Sequence, residues 1–134
     1  MMICSNSIAP GSHAGSLTLP AGAVSAVPQL LGAYNPSTGR IDLCSATAMP
    51  FGLIADSPES IGEPVCVQLL GSAACTLRMT LAADVTAGSP LYSAANGRVT
   101  PASAVGCYQV GLALSSGSAG QPVEVDPCLP RLIQ

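Results

Sequence analysis

The chain contains the same sequence pattern twice, and this internal repeat restricts the fold more than any other feature. Each copy has a tyrosine, a Gly-Arg pair, a Gly-Leu pair and a Gly-x-Pro-Val-x-Val run; these begin at Tyr34, Gly39, Gly52 and Gly62 in the first copy and at Tyr92, Gly97, Gly111 and Gly120 in the second. The repeated residues are mainly turn glycines and alternating valines, and no residue shared by the two copies is a carboxylate, a histidine or a cysteine. It therefore predicts a duplicated fold and favours a structural or binding protein over an enzyme.

The low charge of the chain indicates that other proteins cover part of its surface. Among its 134 residues, 8% are charged and 49% are hydrophobic, whereas about a quarter of the residues of an ordinary globular domain are charged. Disorder is associated with low hydrophobicity and high net charge, so we expect it at the ends of the chain at most. A chain of this length is long enough for one compact core. We therefore expect a single domain that contacts other chains.

Alternation of apolar and polar residues predicts strands along most of the chain. Leu77 and Met79 alternate with Arg78 and Thr80, which is the period of a strand with one buried face. Twelve prolines leave little room for a long helix, and the best helix candidate is a single turn at residues 57–61. Each copy alone would expose an apolar face, so packing the two copies together buries both. The predicted fold is all-β: a small β-barrel or sandwich built from two pseudo-repeated β-meanders in a pseudo-twofold arrangement.

The repeat also predicts how the chain is divided. We expect an extended N-terminal arm at residues 1–18, one β domain at residues 19–126 and a tail at residues 127–134. Within the domain, the pseudo-repeats are expected at residues 19–69 and 81–126. The second copy would then begin with an extended segment at Leu81–Asp84, and residues 70–80 would form a connecting strand.

Charge and hydropathy argue against several partners. The four arginines are isolated and the net charge is −3, so there is no basic stripe to neutralise the phosphates of a nucleic acid. No apolar run approaches the roughly 20 residues of a membrane-spanning helix. The first ten residues lack the basic start and long apolar stretch of a signal peptide. We expect a protein made in a cytoplasm that binds neither nucleic acid nor membrane.

Catalytic and metal chemistry find little support in the sequence. His13 is the one histidine, and no two of the six cysteines form a C-x-x-C pair, so a zinc site would need widely scattered ligands. Reduced, buried cysteines are the simpler interpretation. The carboxylate pairs are Asp56 with Glu59 and Glu124 with Asp126, and the repeat duplicates neither. We expect no enzyme activity, no cofactor and no metal.

Several motifs resemble those of the capsid decoration, or cement, proteins of tailed phages. They are Ala83–Tyr92, Asn96–Val99, Val110–Ala113 and Ala119–Val125, with related runs at Phe51–Ala55 and Ile61–Val67. The resemblance covers roughly residues 19–126 and rests mostly on glycines and turns. It implies a virion protein on the outer capsid surface that binds the major capsid protein and locks capsomers together. It also implies a homo-oligomer, with a trimer favoured over a dimer.

Partner-binding candidates come from the arm and from the repeated Gly-Arg pairs. The arm carries no formal side-chain charge and contains the apolar residues Ile3, Ile8 and Leu17 together with His13. Such a segment is expected to become ordered along the major capsid protein or a neighbouring subunit, although a frayed terminus is the alternative. The repeated Arg40 and Arg98 either flank hairpins in solvent or meet a carboxylate across an interface.

Two other classes of function remain open at the level of sequence. Another virion subunit, from a tail tube or a head-completion complex, would share the low charge and the strands. An adhesive or carbohydrate-binding β-module is the second alternative. Sugar-binding modules usually expose aromatic platforms, and this chain has no Trp, one Phe and three Tyr.

Overall fold

The computed structural model describes residues 15–72 and 75–134 and is built almost entirely from β-strands. The ten strands are β1 (Ser16–Pro20), β2 (Leu31–Asn35), β3 (Arg40–Leu43), β4 (Gly52–Ile54), β5 (Pro64–Leu69), β6 (Leu77–Thr80), β7 (Pro90–Ser93), β8 (Val99–Thr100), β9 (Tyr108–Ala113) and β10 (Pro122–Leu132). Short 3-10 turns lie at Leu70–Ser72 and Ala95–Gly97. The all-β prediction is confirmed.

The strands form two antiparallel five-stranded sheets with the same order. The first sheet has the order β1-β5-β4-β2-β3, and the second has the order β6-β10-β9-β7-β8. Each strand of the second sheet therefore takes the place of the strand five earlier in the chain. We call residues 16–69 the first unit and residues 77–132 the second unit.

Each sheet curls so that its two edge strands approach each other: β1 approaches β3 in the first sheet, and β6 approaches β8 in the second. Ala21, just after β1, forms a parallel bridge to Ile41 of β3, and Leu81, just after β6, forms the same bridge to Val99 of β8. This curling turns one face of each sheet inwards, as in a partly closed barrel. All four residues are fully buried, so the bridges lie in the cores of the two units.

The buried apolar residues form two clusters that divide the chain unequally. The smaller cluster belongs to the first unit alone and contains Ala21, Ile41, Val65 and Val67. The larger cluster contains the core of the second unit together with Leu31, Cys44, Leu53 and Leu70. Leu31, Cys44 and Leu53 belong to the first unit, and Leu70 immediately follows it. Burying one such Leu or Val side chain stabilises the fold by about 1.5–3 kcal/mol.

The structure differs from two local predictions. The predicted connecting strand at residues 70–80 is instead a 3-10 turn followed by β6, the first strand of the second sheet. The second copy thus starts with Leu77–Thr80 and not with Leu81–Asp84, because Leu77 and Met79 pair with β10 as Leu17 and Leu19 pair with β5.

The predicted helical turn at residues 57–61 is wrong. The segment consists of bends and a turn, and carboxylates hold the loop in place of helical hydrogen bonds. Asp56 Oδ2 accepts the Cys66 N–H at 2.7 Å, and Glu63 Oε1 accepts the Glu59 N–H at 3.1 Å.

Strands extend past the expected ends of the β domain. β1 begins at Ser16, inside the stretch assigned to the arm, and β10 runs to Leu132, inside the stretch assigned to the tail.

Candidate interaction surface

The predicted partner-binding residues lie at separate places in the fold. Leu17 is in β1 and is partly buried opposite Val67 of β5. Arg40 starts β3 and is partly buried, whereas Arg98 is exposed just after the Ala95–Gly97 turn. Ile3, Ile8 and His13 lie outside the described residues. The structure therefore does not bring the two repeated arginines together.

Arg98 lines a cleft between the two units, and Arg40 has no corresponding position. The cleft has a volume of about 460 Å³ and is lined by Ser25, Val27, Pro28, Leu30, Leu43, Thr80, Asn96 and Arg98. Arg40 instead lies near Gly62 of its own unit, where a Cβ atom would be 3.8 Å from Nη2. The two repeated arginines therefore lie in different environments.

The two units contact each other through different surfaces. Backbone N–H groups of the second unit donate to carbonyls of the first, from Gly97 to Cys44 at 2.8 Å and from Thr80 to Gln29 at 2.9 Å. A Cβ atom at Gly97 would lie 2.8 Å from a backbone oxygen of the first unit, whereas one at Gly39 would meet nothing within 4 Å. The two repeated Gly-Arg turns therefore have different surroundings, and the predicted pseudo-twofold packing is wrong.

One buried surface of the first unit is exposed in the second. Leu31 of β2 pairs with Leu53 of β4, and both are buried in the cluster shared with the second unit. The corresponding pair is Pro90 of β7 with Leu112 of β9, and both residues are exposed. Leu53 is 3% exposed and Leu112 is 38% exposed. We call Pro90, Leu112 and the nearby Leu114, which is 48% exposed, the Leu112 face.

The converse holds for a second surface, which is buried in the second unit and partly open in the first. Leu77, Met79 and Val110 lie in the larger core cluster. Their counterparts by strand register and repeat position are Leu17, Leu19 and Phe51, and all three remain partly exposed. Tyr34 lies beside Phe51 with 5.6 Å between ring centroids and is 43% exposed. We call Leu17, Leu19, Tyr34 and Phe51 the Phe51 face.

Charged groups are sparse on both faces. In residues 15–72 and 75–134, the single ion pair within 4 Å joins Arg78 Nε to Glu124 Oε1 at 3.0 Å across β6 and β10. A hydrogen bond from Thr76 Oγ1 and another from Arg78 lower the pKa of Glu124. Both side chains of the pair are well exposed, and such pairs stabilise a fold weakly. Asp126 lies directly opposite Leu112 on the neighbouring strand and places a carboxylate beside the Leu112 face.

The cysteines of the described part of the chain are free thiols. Burial raises the pKa of Cys44 to about 11, and its Sγ donates to the backbone oxygen of Ala48 at 3.3 Å. A buried thiol that stays protonated is a poor nucleophile and a poor metal ligand. In the described ranges, no three His, Cys, Asp or Glu side chains are grouped closely enough to hold a metal ion. Nor does that part of the structure contain a helix with the length and hydropathy to span a membrane.

Sequence reasoning missed both faces. The repeat aligns Leu53 with Leu112 and Phe51 with Val110, so the positions were visible in the sequence. The alignment gave no sign that one member of each pair is covered and the other is not, because that depends on how the two units pack.

Comparisons with known proteins agree with this architecture. The model of a family described as phage cement protein matches residues 11–126. Among solved structures, the chain is similar to the head fiber gp8.5 N base of bacteriophage phi29, with a TM-score of 0.65 and 19% sequence identity over 89% of this chain and 98% of that one. At that identity the likeness shows the fold alone. No curated protein matches the sequence.

Proposed function

The chain belongs to the phage cement protein family, and we propose that it binds the outer surface of an assembled phage head and stabilises contacts between capsomers of the major capsid protein. The family match over residues 11–126 is the observation that carries this proposal. The role needs an adhesive surface on a rigid scaffold and no catalytic group.

The described surface is suited to that role. Two apolar faces, the Leu112 face and the Phe51 face, lie on a chain in which 8% of residues are charged. Contiguous exposed apolar surface on a small protein indicates contact with another protein. Sparse charge also lowers the desolvation cost when such a surface is buried against a shell.

Mass action explains how a bound protein strengthens a shell. A ligand that binds the assembled head and not the dissociated subunits stabilises the head by about 2.7 kcal/mol per site at a concentration of 100 times its Kd. An oligomer that touches several capsomers at once adds the effect of multivalency. We propose a homo-oligomer on the particle, with a trimer favoured over a dimer.

Two further contacts belong to this proposal. The arm, with Ile3, Ile8 and His13, runs along the major capsid protein or a neighbouring subunit and pairs with a strand edge. Leu17, also predicted as a contact, lies in β1 and would meet the partner as part of the domain. Arg40 and Arg98 are proposed to meet carboxylates of a partner, since no carboxylate within 4 Å pairs with either of them in residues 15–72 and 75–134.

The test uses expanded heads that lack this protein. Purified chain is added, the heads are pelleted, and the bound chain is quantified together with the temperature at which the heads break open. We expect saturable binding and a higher disruption temperature. Dissociated capsid subunits are the control, and they should bind little chain. Heads that bind no chain, or that bind it without any gain in disruption temperature, would contradict the proposed function.

A further inference from the structure

We propose that the Leu112 face of one chain docks on the Phe51 face of the next, so that copies of this chain assemble head to tail into a closed ring. The occupant of each face is thus a second copy of the chain. This inference rests on the proposed homo-oligomer for the number of chains, which is three. The contact itself follows from the way the two units pack within one chain.

The contact between the two units supplies the template. The first unit covers the core of the second with Leu31 and Leu53, which are buried in the shared cluster. The residues corresponding to that covering pair are Pro90 and Leu112, and both are exposed. The second unit therefore exposes the surface that corresponds to the one with which the first unit covers it.

The complementary surface is partly exposed on the first unit. Met79 and Val110 of the second unit are fully buried, whereas Leu19 and Phe51, their counterparts, pack against the smaller cluster and stay partly exposed. Docking a Leu112 face there would bury Leu19 and Phe51, as Met79 and Val110 are buried in the cluster shared by the two units.

The geometry of this contact is heterologous, because two different surfaces meet. Heterologous contacts between identical chains form a ring when the rotation closes and an open filament when it does not. Two exposed faces of unlike kind on every chain allow such a contact, whereas an isologous dimer would pair each face with its own copy. Closure into a ring is taken from the proposed trimer. Three chains would place six units around the ring.

The hydrogen bonds of the internal contact are not all available between chains. Thr80 donates its N–H to the first unit, and the residue at the corresponding position is Pro20, which has no N–H to donate. Gly39, the counterpart of Gly97, donates to Asn35 within its own turn at 2.8 Å. The contact between chains therefore rests on apolar burial, and we expect it to be weaker than the contact within the chain.

Two substitutions test the two faces separately. Leu112→Glu alters the Leu112 face and Tyr34→Glu alters the Phe51 face, and both side chains are exposed enough for the fold to tolerate the change. Ile61→Glu is the matched control, and Ile61 is 59% exposed. Its counterpart Ala119 stays exposed even though the first unit packs on the second, so this position is expected to lie outside the contact between chains. Circular dichroism and thermal unfolding establish that each variant is folded.

Sedimentation equilibrium over a wide range of concentrations gives the readout without any capsid. We expect the unaltered chain and Ile61→Glu to form a trimer, and each face variant to weaken the association at least about 30-fold. An equimolar mixture of the two face variants retains one intact pair of faces and should form a dimer and nothing larger.

Three results would overturn the head-to-tail ring. The first is a monomer at every concentration, which occupation of the Phe51 face by the arm predicts. The second is unchanged association of either face variant, which an isologous contact through the other face predicts. The third is a mixture that stays monomeric although each variant keeps one intact face. Because heads take no part in this measurement, its failure leaves the proposed binding to heads intact. Failure of head binding likewise leaves this result unaffected.

Discussion

Gly52 and Gly111 occupy the same position in the two units, and each lies against the backbone of the neighbouring strand. A Cβ atom at Gly52 would lie 2.5 Å from the backbone oxygen of Gln68, and one at Gly111 would lie 2.6 Å from the backbone oxygen of Asp126. Both oxygens belong to the neighbouring strand of the same sheet. The repeat thus conserves the close approach of two backbones at the centre of each sheet, where no side chain fits.

We expect Gly52→Ala and Gly111→Ala to destabilise the fold by about 1–3 kcal/mol each, since the added methyl group forces a backbone shift. Urea unfolding measures the change. Gly39→Asn is the control, because Gly39 has φ of +71° with nothing within 4 Å of a Cβ, and Asn tolerates that conformation. Similar losses in all three variants would show that the close approach is not the cause.

The unequal packing of the two units predicts unequal costs for the same substitution. Leu53→Ala should destabilise the chain by about 2–5 kcal/mol, because it opens a cavity in the shared cluster. Leu112→Ala should cost less than about 1 kcal/mol, since Leu112 is exposed in the single chain. The measurement is made at concentrations where the chain is monomeric. Equal costs at the two positions would contradict the packing described for the units.

How much of this fold was predictable can be judged from the repeated residues. Glycines at turns and valines in alternation specify strands through local geometry, so the two β units followed from the sequence. The different environments of Gly39 and Gly97 did not follow, because both glycines have a positive φ, of +71° and +74°, and the contact of Gly97 with the other unit depends on long-range packing. The two faces depend on that same long-range packing, which leaves no periodic signal in the chain.

The pKa of Glu124 gives a test of the contacts between β6 and β10. Hydrogen bonds from Thr76 and Arg78 lower it from the ordinary value of 4.5, so the folded chain holds this proton less tightly than the unfolded chain. The contacts therefore stabilise the fold above the ordinary pKa, and the contribution is lost as the pH falls through the lowered value.

We expect NMR titration of the Glu124 carboxyl carbon to give a midpoint below 4.5, and Thr76→Val or Arg78→Ala to raise it. Arg131→Ala is the control, since Arg131 donates to Gln109 Oε1 at 3.1 Å and not to Glu124. A midpoint that is the same in all four proteins would show that these contacts do not form in solution.

Removal of residues 2–14 tests the proposed role of the arm. The cut leaves Gly15, whose carbonyl accepts the Leu69 N–H at 2.9 Å, and all of β1. We expect an unchanged unfolding midpoint but weaker binding to expanded heads, because main-chain hydrogen bonds to the shell are lost. Replacement of the same residues by a Gly-Ser segment of equal length separates sequence from length. Unchanged occupancy of the heads in both variants would exclude the arm as a contact.

Cryo-electron microscopy of expanded heads with and without this protein is the direct test of binding to the outside of the head. We expect additional density on the outer surface, located where neighbouring capsomers meet, into which the two five-stranded sheets fit. Heads whose outer surface is identical in the two preparations, or density confined to the tail or the interior of the head, would contradict it.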